Sequence, residues 1–435
     1  MLNIGGVSIG YSRKTTARWI AMWGKCAAVF IATGWGPNAH ADWPEFRGPT
    51  GNGVVPTAGL PLTWSTTKNI AWRTEVPGEG WSSPVVAGKS IYLTAAIPSN
   101  NADSDPSYEL TLFILDANTG SIRKRVPIFS ESPNAPKIHS KNSHASPTPL
   151  VSGSRLFLHF GHQGTACTTL DGDILWKNSS LTYEPVHGNG GSPVVADGVL
   201  VFSRDGADIS EVTALDVNTG QIAWQTERNV TAQKPFSFCT PLLLQENGLS
   251  QLILPASNVV QSLDPKTGKE LWRLTYKGYS VVPRPIYESN LVFVCTGFNT
   301  PHLLAIDPTG RGDVTETHLK WEEESGIPTT SSLLGFDGKI ALVNGRGIAS
   351  CFDAQTGKQL WKERIGGNFS ASPILSGSYL YLLSEEGVCT VLDVSANPTE
   401  VAVNRLGERC LASPAVIEKD LLIRTSAALY RISNR

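Results

Sequence analysis

The sequence carries little charge and lacks several patterns that mark common functional classes. Charged residues are 17% of 435, and the formal net charge is −2. Because there is no basic surplus and no charge run, nucleic-acid binding and a charged interaction tail are not expected. No C-x-x-C spacing occurs, so a cysteine-type zinc site is not predicted. After residue 41 no apolar run approaches the length of a membrane span.

The N-terminal residues 1–41 have the pattern of an export signal. Basic residues precede an apolar stretch from Trp19 to Trp35, and the cleavage pattern Ala39-His40-Ala41 stands directly before Asp42. Lys25 interrupts the apolar stretch, which argues against a membrane span. We therefore expect a periplasmic or extracellular protein, cleaved near Ala41-Asp42, that is soluble and monomeric and has no transmembrane segment.

Cysteine is scarce, with seven residues in the chain and six after the predicted cleavage. Cys167, Cys351 and Cys389 fall in predicted strand interiors, where small buried apolar residues are expected. Export would permit disulfides, and Cys389 with Cys410 is one conceivable pair.

What the chain does contain is a repeated eleven-residue unit, A-x-D-x-x-T-G-x-x-x-W. Full or near-full copies occupy residues 214–224, 262–272 and 351–361, and in each the tryptophan follows the aspartate by eight residues. With the weaker copies included, the repeat aspartates are Asp116, Asp171, Asp216, Asp264, Asp307, Asp353 and Asp393. The mean period of about 46 residues, with strand-turn-strand content, predicts four-stranded propeller blades.

A second marker, a Ser/Thr-Pro step or its substitute, opens an apolar strand once per repeat. Proline suits a first strand residue, where its missing N–H matters least. The eight predicted starts are Ser83-Pro84, Ser146-Pro147, Ser192-Pro193, Thr240-Pro241, Arg284-Pro285, Ser331-Ser332, Ser372-Pro373 and Ser413-Pro414. We expect these strands to line a central channel.

The last repeat lacks a fourth strand, and an unassigned strand precedes the first. The chain stops at Arg435 after three strands, whereas residues 69–74 resemble every other tryptophan strand. We therefore predict that this segment completes the last blade, because closure removes exposed sheet edges. The expected fold is an all-β, eight-bladed β-propeller of four-stranded antiparallel blades over 69–435, with an extended leader, 42–68, packed on it. Residues 43–49 of the leader contain two prolines and no alternation, so this stretch is not expected to join a sheet.

Six tryptophans in the predicted outer strands are expected to pack between neighbouring blades. They are Trp72, Trp176, Trp224, Trp272, Trp321 and Trp361.

The repeat resembles the tryptophan-docking unit of quinoprotein alcohol dehydrogenases, whose eight-bladed propellers bind pyrroloquinoline quinone (PQQ). The chain also resembles secreted bacterial PQQ-binding-like β-propeller repeat proteins. A relative by fold is the propeller lipoprotein of the outer-membrane β-barrel assembly machinery, a scaffold that binds no quinone. The quinoprotein dehydrogenases use adjacent cysteines and a Ca²⁺ site, but no Cys-Cys pair occurs here. No cofactor is therefore expected, although the resemblance keeps PQQ with calcium open.

Loops that enter the first strands and loops between the second and third strands should share one face of the ring. The candidate binding residues on this face are Trp81, His144, His162, His187, Asn189, Arg204, Arg284, Arg346, Asn368 and Arg409. No catalytic residue is assigned. Three interpretations compete: a non-catalytic surface for a protein, cell-envelope or glycan partner; a quinone in the channel with Arg284 or Arg409 facing its carboxylates; and a metal held by histidines. The histidine spacing matches no metal signature, so no metal site is predicted, and the binding scaffold is favoured over a PQQ-dependent oxidoreductase.

Overall fold

The computed structural model describes residues 43–55, 58–99, 107–131, 136–298 and 300–434. Within these residues the strands form eight separate sheets, each built on four antiparallel strands, which confirms the predicted all-β, eight-bladed propeller. The predicted export signal and its cleavage site lie outside the described residues. Among those described, no helix is long and apolar enough to cross a membrane.

Two strands precede the first blade: β1 (Val54–Val55) and β2 (Ile70–Glu75). Blade 1 contains β3 (Val85–Ala87), β4 (Ser90–Pro98), β5 (Tyr108–Asp116) and β6 (Ile122–Glu131). Blade 2 contains β7 (Leu150–Ser152), β8 (Arg155–His159), β9 (Thr165–Thr169) and β10 (Ile174–Asn178), with a short 3₁₀ helix at Gly161–Gln163. Blade 3 contains β11 (Val194–Ala196), β12 (Val199–Asp205), β13 (Ser210–Asp216) and β14 (Ile222–Glu227).

Blades 4 to 8 follow the same order from the inner to the outer edge. Blade 4 contains β15 (Leu242–Leu244), β16 (Gln251–Ala256), β17 (Val259–Leu263) and β18 (Glu270–Thr275). Blade 5 contains β19 (Ile286–Glu288), β20 (Leu291–Cys295), β21 (Leu303–Ile306) and β23 (Leu319–Glu323), while the inserted β22 (Gly312–Asp313) pairs in parallel with β18 of blade 4. Blade 6 contains β24 (Leu334–Phe336), β25 (Lys339–Val343), β26 (Ile348–Asp353) and β27 (Gln359–Arg364). Blade 7 contains β28 (Ile374–Ser376), β29 (Tyr379–Leu383), β30 (Val388–Asp393) and β31 (Thr399–Arg405). Blade 8 contains β32 (Ala415–Ile417), β33 (Asp420–Arg424) and β34 (Ala428–Ile432).

The ring closes through β2, which pairs antiparallel with β34 and forms the outer strand of blade 8. In this register Arg73 lies opposite Tyr430 and Thr74 opposite Leu429. The prediction that the early strand completes the last blade is confirmed. Because the first and last parts of the chain share one sheet, the ring has no free blade edge at its junction.

The innermost strands are tied together by hydrogen bonds from a backbone N–H in one blade to a hydroxyl in the next. The six bonds, all of 2.8–3.0 Å, run from Ser83 to Thr148, Thr148 to Ser192, Ser192 to Thr240, Arg284 to Ser332, Ser332 to Ser372 and Ser372 to Ser413. Blade 2 therefore starts at Thr148-Pro149, and the predicted start Ser146-Pro147 is wrong by two residues. The Ser146 hydroxyl instead donates within its own loop, to Asn142 Oδ1 at 2.5 Å.

The outer-strand tryptophans pack on the repeat turn of the next blade. The indole N–H of Trp176, for example, donates to Val217 O at 3.1 Å, and a Cβ on Gly220 would come within 2.5 Å of the ring. The same donation joins Trp72 to Ala117, Trp224 to Pro265 and Trp321 to Ala354. The turn glycines are therefore needed for close approach as well as for their positive φ.

Trp272 of blade 4 is linked to the next blade through the side chain of Gln251. Its indole N–H donates to Gln251 Oε1 at 2.8 Å, and Gln251 Nε2 donates to Pro308 O at 3.0 Å. Trp361 of blade 6 packs half-buried against the hydrophobic cluster shared by blades 6 and 7.

The leader crosses the central channel along the innermost strands. Trp43 forms a bridge with Val86 of blade 1, and Pro44 O accepts the N–H of Val151 in blade 2. On the opposite side, buried Arg47 donates to Leu333 O at 2.6 Å and to Pro373 O at 3.2 Å. Burial and the nearby Arg284 charge lower the pKa of Arg47 to about 9.

The leader does join a sheet beyond residues 43–49, the stretch for which no pairing is expected. The two residues of β1 pair in parallel with β28, on the inner edge of blade 7. The two prolines that argued against pairing lie in the preceding segment, so they leave Val54 and Val55 free to form backbone hydrogen bonds.

Candidate functional site

The alternation of strand direction puts two sets of loops on one side of the ring. Loops entering each first strand and loops between each second and third strand form this side, which is called the top face here. The repeat turns with their glycines lie on the opposite side. The predicted candidate residues come from the top-face loops, but the structure gives them very different surroundings.

Arg284 lies in the channel and is only 3% exposed. Its Nη1 donates to Glu45 Oε1 at 2.9 Å and to Phe46 O at 2.7 Å, and its Nε donates to Pro241 O at 3.1 Å. The carboxylate that faces this arginine therefore belongs to the leader. At the blade 5 position of the hydroxyl ring, Arg284 replaces the Ser or Thr of the other blades and fastens the leader to the ring.

His144 and His162 meet at a buried carboxylate. Glu131 Oε2 lies 3.6 Å from His144 Nδ1 and 3.4 Å from His162 Nε2. The His144 ring stacks on Tyr108 with centroids 4.6 Å apart. Burial lowers the pKa of His144, and the charge of Glu131 opposes that shift.

Asn189 and Arg204 serve to hold neighbouring loops in place. Asn189 Nδ2 lies 3.1 Å from His162 Nδ1, and its Oδ1 accepts from the Tyr183 hydroxyl at 2.6 Å. Arg204 forms a buried ion pair with Glu211 at 2.7 Å and donates to a loop carbonyl. These contacts occupy both side chains within the protein.

The loop before blade 2 contacts blade 7 and the loop before blade 8 across the top face. Lys141 forms an ion pair with Glu385 of blade 7 at 2.7 Å. Arg409, from the loop before blade 8, donates to Ser140 O at 3.0 Å and lies over the ring of Trp81. Two predicted candidates, Trp81 and Arg409, are thus brought together at the rim.

The remaining rim candidates have few partners. Asn368 Nδ2 donates to Glu386 Oε1 at 2.8 Å, and both lie at the edge of blade 7. Arg346 is exposed, and its backbone N–H donates to Asn344 Oδ1.

A row of aromatic rings follows the top face from blade 2 to blade 5. Neighbouring ring centroids are 5.3–6.4 Å apart, and the row runs through His139, His187, Phe236, Tyr279 and Phe298. Phe298 is 44% exposed. Of these five residues only His187 is among the candidate binding residues predicted from the sequence.

The row ends at a cavity of about 910 Å³ between blades 4 and 5. Its lining mixes aromatic, basic and acidic side chains, including Lys234, Asn258, Tyr279, Phe298, His302 and Glu322. Lys234 Nζ lies 4.2 Å from the centre of the Tyr279 ring. Tyr279 and Phe298 lie in loops that the repeat places on the top face, so aromatic residues in these loops are the sequence signal for this cavity.

A quinone site of the dehydrogenase kind would depend on paired cysteines and on a free arginine in the channel. All six cysteines in the described residues are buried and unbonded, including Cys389 and Cys410, the conceivable pair. Burial raises the pKa of the Cys167 thiol to about 11 and that of Cys410 to about 12. Arg284, the buried channel arginine, is already paired with Glu45.

Together, the repeats, the closed ring and the docked tryptophans define a PQQ-like β-propeller protein. The chain belongs to the family described as outer membrane protein assembly factor BamB, whose family model matches residues 111–318 and 256–398.

Individual relatives agree with this assignment. Outer membrane protein assembly factor BamB of Legionella pneumophila (strain Paris) is 27% identical over 211 residues, which cover 47% of this chain. The matched part is 50% of that relative, so the chain spans about half the length of the curated protein it matches.

Two solved structures have the same fold. BamB from Moraxella catarrhalis is 13% identical with a TM-score of 0.57, covering 83% of this chain and 97% of that one. Quinohemoprotein alcohol dehydrogenase from Comamonas testosteroni is 10% identical with a TM-score of 0.63, covering 91% and 81%. At these identities the likeness concerns the fold alone.

Proposed function

We propose that this protein is a non-catalytic interaction scaffold of the cell envelope, which binds a protein partner through the top face beside blades 4 and 5. The observation that carries the proposal is the aromatic row that ends at exposed Phe298 and the adjoining cavity. Exposed aromatic side chains beside a cavity are typical anchors of protein interfaces. The family description, an outer membrane protein assembly factor, supports a partner among envelope proteins.

The charges around the cavity support a polar rim around an aromatic centre. The lining includes the basic side chains of Lys234 and Lys277 and the acidic side chain of Glu322. Protein interfaces commonly combine a desolvated aromatic centre with such a rim. A partner segment that inserts an apolar side chain beside Phe298 would bury the ring and keep the charged groups in water.

The quinone-dependent oxidoreductase is the weaker alternative. An anionic quinone in the channel would need positive partners, but Arg284 already donates to Glu45 and to Phe46 O. Displacing the leader would leave Glu45 and the crossing segment without their contacts. We also propose that the protein acts after export, which the sequence pattern of residues 1–41 supports.

The test uses two matched substitutions, Phe298→Glu and Leu360→Glu. Both side chains are apolar and similarly exposed, at 44% and 43%, but Leu360 lies on the outer strand of blade 6. We expect Phe298→Glu to reduce co-purification of an envelope protein from solubilised membranes at least tenfold, whereas Leu360→Glu leaves it unchanged. Equal recovery with both variants would contradict the proposal.

A further inference from the structure

The outer half of blade 5 brings one histidine and two glutamates to the same face of the sheet. Strands β21 and β23 are antiparallel, with Leu303 opposite Glu323. His302 and Glu324 therefore face each other one residue further on. Because side chains alternate along a strand, Glu322 lies on the same face as Glu324, and Glu323 points to the other face.

The distances between these three side chains are too long for hydrogen bonds. His302 Nδ1 lies 3.6 Å from Glu322 Oε2 and 3.9 Å from Glu324 Oε1. Two ligands bound to one tetrahedral ion at about 2.1 Å are separated by roughly 3.4 Å. In the described part of the chain, these are the only three His, Cys, Asp or Glu side chains whose ligand atoms lie within 4.8 Å of one another.

The backbone of His302 is held in place before any ion binds. Its N–H donates to Thr296 Oγ1 at 2.9 Å, and Thr296 N–H donates back to His302 O at 3.0 Å. The His302 side chain is 25% exposed and lines the cavity together with Glu322. The backbone that carries the imidazole is thus held in place, and the side chain lies where solvent and ions can reach it.

We propose that His302, Glu322 and Glu324 bind a divalent transition-metal ion such as Zn²⁺. One imidazole and two carboxylates are a ligand set that suits such ions. The ion would relieve the repulsion between two carboxylates on one face, and its fourth position would point to the cavity. The site shares the cavity beside Phe298 with the proposed interface, but it is inferred from the ligand geometry alone and its titration needs no partner protein.

The experiment is calorimetric titration of Zn²⁺ into tag-free protein, with the same titration of three variants. We expect one ion per chain at this site, a loss of that binding in His302→Ala and at least a tenfold weaker affinity in Glu322→Gln. Glu323→Gln is the matched control, since it removes the same charge from the same strand on the opposite face. It should change the affinity less than twofold.

Each other outcome would overturn the proposal. If wild type and His302→Ala bind Zn²⁺ alike, the ion is held elsewhere. If Glu323→Gln weakens binding as much as Glu322→Gln, the effect is general electrostatic attraction. Circular dichroism of each variant establishes that it is folded, so a loss of binding is not a loss of structure.

Discussion

Arg284 and Glu45 form an ion pair of 2.9 Å that joins the ring to the segment crossing its channel. The arginine side chain is 3% exposed and that of the glutamate 22%. Removing one partner of a buried pair leaves the other charge without compensation. The pair therefore adds a buried charge contact to the backbone hydrogen bonds of Pro44 and the Arg47 bonds that hold the leader in the channel.

Glu45→Gln is predicted to lower the free energy of unfolding by about 1–3 kcal/mol, since Arg284 stays buried and loses its counter-charge. Urea unfolding measures the change. Glu75→Gln serves as the control, because Glu75 pairs with Arg73 at the surface, where its side chain is 83% exposed. Exposed pairs contribute about 0–1 kcal/mol. Equal effects of the two substitutions would show that the Arg284 pair does not anchor the leader.

The contact of Gly220 with Trp176 predicts a steric penalty at the repeat turn. Gly220 has φ of 70°, and an added Cβ would lie 2.5 Å from the indole. Gly88 has φ of 56°, but an added Cβ there would meet no atom within 4 Å. Both alanine variants carry backbone strain, and Gly220→Ala should be more destabilising by about 1–3 kcal/mol because it also overpacks the ring. Chemical unfolding of the pair measures this difference; identical midpoints would refute the docking role.

The sequence predicted the blades well because the repeat is made of local features. The spacing of Asp216, Gly220 and Trp224 indicates a strand, a turn and a second strand that pair within one blade. The tryptophan of the second strand packs on the turn of the next blade. Ring closure followed from counting strands, since β2 had no blade of its own. The start of blade 2 was misplaced because Ser146-Pro147 and Thr148-Pro149 both fit the marker, and only the hydrogen bond between Ser83 and Thr148 distinguishes them.

The candidate site was less predictable because it depends on contacts between distant residues. Glu45 and Arg284 are 239 positions apart, and no local pattern joins them. His302, Glu322 and Glu324 come together through the pairing of β21 with β23 across an insertion. Alternation of Glu322 and Glu324 was visible in the sequence, but the facing histidine required the register.

Buried His159 predicts a loss of stability in mild acid. Its Nδ1 lies 2.9 Å from Thr165 Oγ1, and burial, with Arg204 and His162 nearby, lowers its pKa to about 3. The folded pKa is below the unfolded value of about 6.5, so protons favour the unfolded state as the pH falls from 6.5 towards 3. As the pH falls, the unfolding free energy of wild type should decrease by up to about 1.4 kcal/mol per pH unit relative to that of His159→Gln.

Urea unfolding of both proteins at pH 7, 6 and 5 measures this linkage. As the pH falls from 7 to 5, the unfolding free energy of wild type should decrease relative to that of His159→Gln. Parallel curves would mean that His159 is protonated equally in the folded and unfolded chains.

The engagement of Arg284 by the leader predicts that PQQ does not bind in the channel. Titration with PQQ and Ca²⁺ should give no stoichiometric change in the quinone spectrum, and no alcohol oxidation with a dye acceptor should follow. A quinoprotein alcohol dehydrogenase treated in the same way is the positive control. A saturable, Ca²⁺-dependent spectrum at one quinone per chain would instead support the oxidoreductase.

The interaction face is tested most directly by a photo-crosslinking amino acid placed at position 298, compared with one at position 360. The original residues, Phe298 and Leu360, are almost equally exposed, so the comparison separates location from accessibility. We expect a discrete adduct with an envelope protein from position 298 in intact cells and none from position 360, as read by mass spectrometry. Adducts of the same identity and yield from both positions, or from position 360 alone, would contradict a partner bound at the top face.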